Sequence, residues 1–429
     1  MENTLSTQSY KGARDFYPED MQIQNYIYDT WKKVCKRYGY QEYSFPILEP
    51  WEIFAAKSGA EIVNEQLFAF EDQGGRKLAM RPELTPGTVR MLAANYKELV
   101  RPVRWFMIGN NWRYEKPQLG RGREFYQLEV NIFGVPEVTG DFETLQIAID
   151  IMREFGANSD MFEIKISDRR LISALLIDTL GLSEETATKV RRTMDKRAKL
   201  SKEEFLHMLD DLGIVNVAAQ KIEAFMNATI EELPNIIEDV QNNKGYQTIT
   251  QLFTLLQNAN LEEYASFDSS IIRGFDYSDG LVYEVFDKNP TNKRSMFGGE
   301  RFDKLISIFG NSLELEATGY AMGDVTLKEF LKGWNLLPKV QGTCEYLVTV
   351  WPEQDSKYIT TSLAVADKLR SQGYSAQSWL DANAKLDKQL KYADKNGVKK
   401  VVIIGPEELN KGIMLIKNME TGTQEEVQL

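Results

Sequence analysis

At 429 residues the chain exceeds what one compact core accommodates, so two or three domains are expected. Hydrophobic residues make up 43% and charged residues 27%, the balance of an ordinary globular protein, and no apolar run reaches the length of a membrane span. The net charge of −12 excludes a general nucleic-acid coat but leaves room for a local basic patch.

The opening, MENTLSTQSYKGARDF, lacks the charged and apolar regions of a signal peptide, so a cytoplasmic protein with no membrane contact is expected. Cys35 and Cys344 lie far apart and exclude a disulfide framework. With His207 as the single histidine, the ligands for a structural zinc site are too few, and no zinc is expected. A Ser-His-Asp or Cys-His mechanism would rest on His207 alone, which sits in a helix-like stretch at 202–212 and reads as a surface or core histidine.

In chain order, Lys11-Gly12-Ala13-Arg14-Asp15-Phe16-Tyr17-Pro18 is a turn leading into a helix over 20–38. Residues 40–49, YQEYSFPILE, alternate like a strand ended by proline. The stretch LAMRPELTPGTVR at 78–90 predicts a strand and then a helix to about residue 95, with Thr85 as N-cap and Pro86 in the first turn. Arg81 and Glu83 then stand where the helix start faces, and Glu83 either meets a ligand or pairs with Arg81 or Arg90.

Two strand-like runs, 103–108 and 124–133, flank a basic centre rich in turn residues and form a charged hairpin. On the outgoing run Arg123, Phe125, Gln127, Glu129 and Asn131 share one face, while Tyr126, Leu128, Val130 and Ile132 share the other. A half-buried surface strand alternates in the same way. Arg113 and Glu115 lie two apart, before the loop KPQLGRGR. A guanidinium beside a carboxylate, with more arginines at the tip, suits an anionic ligand that also offers a hydrogen-bond donor, as a nucleoside triphosphate does.

Beyond the hairpin, 141–155 reads as amphipathic helix, 161–167 as strand and 171–256 as helical throughout, with a basic run at 189–199. The segments IIRGFDYSDGLVYEVF at 271–286, MFGGERFD at 296–303 and GYAMGDVT at 319–326 follow, the second as a glycine-rich turn. Residues 333–343 read as a linker. Strand and helix then alternate (346–350, 356–372, 375–379, 385–396, 400–404), with a final strand pair at 412–417 and 424–429. Such alternation predicts a small sheet with parallel strands and helices packed on it. Lys385, Lys388, Lys391 and Lys395 recur at helical spacing and give one helix a lysine-rich edge.

Arg113-x-Glu115, the loop with Arg121 and Arg123, and Phe125-Tyr126-Gln127 resemble motif 2 of class II aminoacyl-tRNA synthetases, in the form found in histidine–tRNA ligases. The Gly-x-Arg-Asp opening, the motif 1-like run at 40–49, the Arg273-Gly274 segment, the 296–303 segment and the motif 3-like 319–326 extend the resemblance along nearly the whole chain. It implies an α+β fold: an antiparallel-sheet catalytic core over 1–335, carrying a helical insertion at 171–256, and a C-terminal α/β anticodon-binding domain over 341–429. It implies activation of histidine by ATP with Mg²⁺, transfer to the 3′ end of a tRNA, and a homodimer.

By the same resemblance Arg113 and Arg273 are catalytic, neutralising the carboxylate and α-phosphate as they meet. Arg113, Glu115 and Arg121 bind ATP, and Glu83, Thr85, Gln127, Asn131 and Tyr277 hold the amino acid. Gln118, Arg123, Lys385, Lys388 and Lys391 meet the tRNA. The basic run of the insertion either touches the acceptor stem or is a solvated helix face.

Several positions depart from the family pattern. Asn131 stands where many members carry Glu or Asp for the substrate imidazole, and Ser278 replaces the second of two tyrosines. Glu300 and Phe302 replace a glycine and a tyrosine, and Thr326 replaces an arginine. They open two other readings, a silent synthetase-like regulatory or binding paralogue and a ligase with altered amino-acid choice. Retention of Arg113, Glu115, Arg273 and the tRNA-binding tail favours the histidine ligase.

Overall fold

The computed structural model describes residues 5–55, 65–118, 120–197, 200–272, 278–292, 294–310, 312–353 and 355–429. The chain divides into two compact units, Met1–Tyr17 with Ile23–Pro338, and Pro18–Gln22 with Lys339–Leu429. The division falls within the expected linker.

In the first unit an eight-stranded sheet is built from β1 (Gln41–Glu42), β2 (Val103–Trp112), β3 (Glu124–Phe133), β4 (Phe162–Asp168), β5 (Ala265–Phe267), β6 (Leu281–Asp287), β7 (Ser295–Arg301) and β8 (Ala317–Gly323). Their order is β1-β2-β3-β8-β7-β6-β4-β5. The central pairs are antiparallel, and only the edge pairs β1/β2 and β4/β5 run parallel. In the hairpin register Gly109 faces Gln127, Met107 faces Glu129 and Trp105 faces Asn131.

The alternation of β3 explains where the core sits. Leu128, Val130 and Ile132 enter the main hydrophobic cluster with Leu145, Ala148, Ile149 and Met152 of the helix Thr139–Glu154. The opposite face is not a solvated one, because Glu129 and Asn131 are each 1% exposed. A strand buried on both faces, with polar groups on one, is a site wall rather than a surface strand.

Several expectations are corrected. The predicted strand at 40–49 is broken: β1 ends at Glu42, and Leu48–Pro50 joins a separate three-stranded sheet with Lys77–Met80 and Ala69–Glu71. Between them Tyr43 and Phe45 serve as partners for Glu129 and Arg81, and Pro46 has no N–H to give a ladder. The incoming hairpin strand runs on to Trp112, leaving Arg113 and Glu115 beyond its end. Most of the 296–303 segment is strand rather than turn: the strand runs Ser295–Arg301, and the turn begins only after it. Thr85 is the first residue of the helix Thr85–Ala94 rather than its N-cap, a place taken by Leu84, because its hydroxyl is committed to Glu129.

The 171–256 stretch is helical as expected, including Glu184–Asp195, Lys202–Asp210, Asn216–Met226 and Lys244–Asn258. Its basic run pairs internally, Lys189 with Glu185 at 2.7 Å and Arg191 with Glu184 at 2.9 Å. One acidic cluster ties both ends of the insertion down. Asp168, at the end of β4, accepts the Arg170 backbone N–H at 2.9 Å, and Arg170 reaches on to Glu137. Lys244 bonds the same Glu137 at 2.8 Å. Burial opposes the charge on Glu137, yet the two cations outweigh it and bring the carboxyl down to about 2.

The second unit has a five-stranded sheet in the order Ala376–Ser378, Tyr346–Val348, Lys400–Ile403, Ile413–Asn418, Gln424–Gln428. The first three strands are parallel and the last two antiparallel. Helix Leu386–Lys395 carries Lys388, Lys391 and Lys395 exposed, with Lys385 at its N-cap.

A group whose pKa is depressed on folding adds stability above its ordinary value, and that stability drains away as the pH falls through its folded value. Glu137 should therefore contribute above pH 4.5 and lose its contribution on descent toward pH 2. Glu137→Gln is expected to lower stability by about 1–3 kcal/mol at neutral pH, to flatten the acid limb over that interval, and to speed limited proteolysis within the insertion. Calorimetry from pH 7 downward and timed digestion check this.

Candidate active site

A cleft with about 420 Å³ of empty space, its open mouth included, lies on the polar face of β3, β7 and β8. Its polar lining is Glu83, Thr85, Arg113, Gln127, Asn131 and Glu300. The floor exists because three glycines let strands approach. A Cβ on Gly298 would stand 2.6 Å from the Tyr283 carbonyl oxygen, and one on Gly299 would stand 2.4 Å from the Tyr283 ring. On Gly319 it would stand 1.9 Å from Asn131 Oδ1.

Two of the side chains sit at the start of a helix and one just past a strand end. Glu83 is 4% exposed, and Thr85 opens the helix Thr85–Ala94. Arg81, beside them in sequence, points away from the cleft, donating to the carbonyls of Asn110 and Phe45 at 2.8 Å each. Arg90 pairs with Glu49 at 2.7 Å. Arg113 donates from Nε to the Pro82 carbonyl at 2.9 Å, with its guanidinium 5.2 Å from the Phe125 ring centre. A planar cation anchored in this way lines the cleft together with carboxylate, hydroxyl and amide groups.

The hairpin tip gathers a second set. Arg121 Nη1 stands 3.1 Å from Glu115 Oε2 and is about half exposed. Arg123 lies 4.0 Å from the Tyr114 ring centre, bonds the Tyr10 hydroxyl and reaches the Glu115 carbonyl at 3.3 Å. Gln118 accepts from Arg294 at 3.2 Å. Thus Glu83, Thr85, Arg113, Gln127 and Asn131 come together in the cleft, while Glu115, Gln118, Arg121 and Arg123 come together at the tip. Arg273 and Tyr277 lie outside the described residues, and the lysines of 385–391 belong to the second unit.

Departures from the expected pattern have physical occupants. Phe302 is buried against Phe133, ring centres 6.2 Å apart, so its ring serves the core. Thr326 donates to the Met296 carbonyl at 2.7 Å, tying its helix to β7. Arg301 is fully enclosed between Asp141 at 3.1 Å and Asp303 at 2.9 Å. Ser278 is 7% exposed, and Glu300 lines the cleft.

Sequence reasoning missed two carboxylates. Glu129 falls on the polar face that the strand period predicts, and the period by itself gives it no role. It accepts from Thr85 at 2.6 Å, Tyr43 at 2.7 Å and Thr88 at 2.8 Å. Burial raises its pKa, and the bonds from Thr85, Tyr43 and Thr88 oppose that rise. The available signal was Thr85 and Thr88 one helical turn apart, facing a strand glutamate. Asp324 opens the helix Asp324–Gly333 and accepts from Arg14 at 2.8 Å, Gln24 at 3.0 Å and the Tyr126 backbone at 2.9 Å. Arg14 of the Gly-x-Arg-Asp opening thereby fastens the motif 3-like element to β3.

With this geometry in place, a family model described as histidyl-tRNA synthetase matches residues 12–326. The chain belongs to that family. An anticodon-binding domain model matches residues 347–429. Over 427 residues the chain is 39% identical to a histidine–tRNA ligase of Leptospira biflexa, covering 99% of this chain and 95% of that one. It is 32% identical to the chloroplastic/mitochondrial histidine–tRNA ligase of Arabidopsis thaliana, covering 98% and 84%. In fold it resembles the histidyl-tRNA synthetase of Nostoc sp. PCC 7120, with a TM-score of 0.83 at 21% identity, covering 99% of this chain and 97% of that one. A Bacillus halodurans protein described as an ATP phosphoribosyltransferase regulatory subunit/histidyl-tRNA synthetase gives a TM-score of 0.78 at 21% identity, covering 94% and 99%. At that identity the likeness is one of fold alone, which ligase and regulator share.

Overpacking where two strands touch is expected to cost about 1–3 kcal/mol. Gly319→Ala should fall in or above that range, because its new methyl collides with both the Asn131 amide and the Val130 carbonyl oxygen. Denaturant unfolding of the variant beside the parent reads this directly.

Proposed function

We infer that this chain is a histidine–tRNA ligase, which activates histidine with ATP and passes it to the 3′ end of its tRNA. The observation that carries this is the composition of the cleft: the acceptors Glu83, Thr85 and Asn131 share one lining with Gln127 and the Arg113 guanidinium. An amino acid placed there sets its ammonium against the acceptors and its carboxylate toward the arginine, where an α-phosphate would also lie.

The histidine carboxylate oxygen bonds to the α-phosphorus, the bond to the bridging oxygen breaks, and pyrophosphate leaves with that electron pair. The tRNA hydroxyl then attacks the activated carbonyl and AMP departs. The first step needs no general base, since the carboxylate is already ionised, and catalysis is positioning plus charge stabilisation. Arg113 takes the α-phosphate, and Arg273, by the family pattern, shares in neutralising the carboxylate and phosphate. Glu115 receives the adenine amino group and Arg121 the terminal phosphates, which requires their present ion pair to part. Tyr277 borders the amino acid. Mg²⁺ would accompany the nucleotide, with phosphate and water as most of its ligands.

Gln118 and Arg123 at the hairpin tip lie where an acceptor end would arrive, and Lys385, Lys388 and Lys391 are exposed in the anticodon-domain unit. A homodimer is supported by the three-stranded sheet next to the motif 1-like run. It leaves Leu48 40% and Phe70 46% exposed, an apolar face suited to a second copy. Among the described residues no helix is long and apolar enough to cross a membrane. Cys35 and Cys344 are free and buried, which suits a reducing cytoplasm.

Amino-acid-dependent pyrophosphate exchange tests the assignment. Exchange is expected with histidine alone among the twenty amino acids, and to fall by about 10²–10³-fold in Arg113→Ala and in Arg273→Ala. Exchange with another amino acid would indicate a rebuilt pocket, and silence with all twenty a regulatory paralogue. Light scattering behind a sizing column should return twice the chain mass.

A further inference from the structure

A carboxylate has roughly four acceptor sites and no donor when ionised. On Glu129, Thr85 occupies Oε1, and Tyr43 and Thr88 crowd Oε2. Thr85 has a single hydroxyl proton and spends it on Glu129. Its lone pairs are what remain for the cleft, so toward a ligand Thr85 can only accept.

Asn131 lies two residues further along the same face of β3. Its Nδ2 is buried with no hydrogen-bond partner among the described residues, and the strand period sets it on the Glu129 side of β3. An amide beside an anionic oxygen turns its NH₂ end that way and its carbonyl end outward. The carbonyl end of Asn131 does lie over Gly319, on the cleft floor.

We propose that Glu129 is the specificity-determining positioning residue of the amino-acid pocket, holding both Thr85 and Asn131 as acceptors, the first for the α-ammonium and the second for an imidazole N–H. The inference rests on the ligase assignment above and deepens it. It also accounts for Asn131 standing where a carboxylate is usual in the family: a carboxylate is retained two residues earlier on the same face of β3. In Glu129→Gln the shape is kept, but Thr85 is freed to donate and the Asn131 amide to turn over.

The test is steady-state pyrophosphate exchange on the full-length protein, with thermal unfolding as the check on folding. Glu129→Gln is expected to raise KM for histidine by about tenfold or more while leaving KM for ATP unchanged. Thr85→Val should do the same, and the double variant should be no worse than the poorer single one, as befits groups acting as a unit. A thiazolyl analogue of histidine, whose ring nitrogen can only accept, should gain on histidine in Glu129→Gln once the amide can donate. Should Glu129→Gln fail to fold, Tyr43→Phe and Thr88→Val carry the question, each expected to raise KM for histidine several-fold and not that for ATP. An insensitive KM for histidine, equal rises for both substrates, or additive effects would overturn the inference while leaving the ligase intact. A parent protein that exchanges with a different amino acid, or with none, would overturn the ligase assignment itself.

Discussion

The cost of burying a polar side chain without partners is the constraint on which this structure turns. β3 carries apolar groups on one face and Gln127, Glu129 and Asn131 on the other, and both faces are covered along its second half. Each polar group there must find a partner or await a ligand. The demands of Glu129 draw in Tyr43 from the chain after β1 and Thr85 and Thr88 from one helix, so a single carboxylate fixes how three segments meet. The break in the expected strand at 40–49 and the displaced helix cap are consequences of those bonds.

Asp324 acts in the same way just past the end of β8, the strand beside β3. Being 1% exposed, it is satisfied by Arg14, Gln24 and the Tyr126 backbone. The N-terminal turn also supports the hairpin tip, since the Gly12 carbonyl accepts from the Arg123 and Glu124 backbones at 2.7 and 3.1 Å. The base of the hairpin tip is thus held by a short stretch near the start of the chain. At the tip, Glu115 pairs with an Arg121 whose guanidinium is about half exposed, so solvent weakens the pair and a polyanion can compete for the arginine. Near the cleft wall the opposite regime holds: Arg301 is enclosed with Asp141, and breaking such a pair leaves an uncompensated charge in the interior.

Much of the cleft lining was legible because chemistry and local period were enough to place it. Arg113, Gln127 and Asn131 follow from a basic hairpin with period-2 alternation, and Glu83 and Thr85 from a strand-to-helix turn; the cleft unites these five. Arg121 and Arg123 were recognisable as tip residues, but their partners Glu115, Tyr10 and Tyr114 were not. The glycines of 296–303 were read as turn residues. A glycine pair permits a turn and a close strand crossing equally, and only the neighbours Tyr283 and Gly319 decide between them.

The sequence by itself determined the two-unit organisation, the charged hairpin, the helical insertion and the alternating C-terminal sheet, because each rests on contacts between residues near in sequence or on a sustained hydrophobic period. It also determined which residue types could meet an anion and an ammonium. Tertiary structure alone decided that the polar face of β3 is buried, that Thr85 gives its proton to Glu129 rather than capping its helix, and that Gly319 leaves room for the Asn131 amide. Those outcomes depend on groups 40 or more residues apart in sequence, among them Tyr43 with Glu129 and Asn131 with Gly319. Burial and hydrogen-bond partnership are properties of what lies across the sheet, and no local period encodes them.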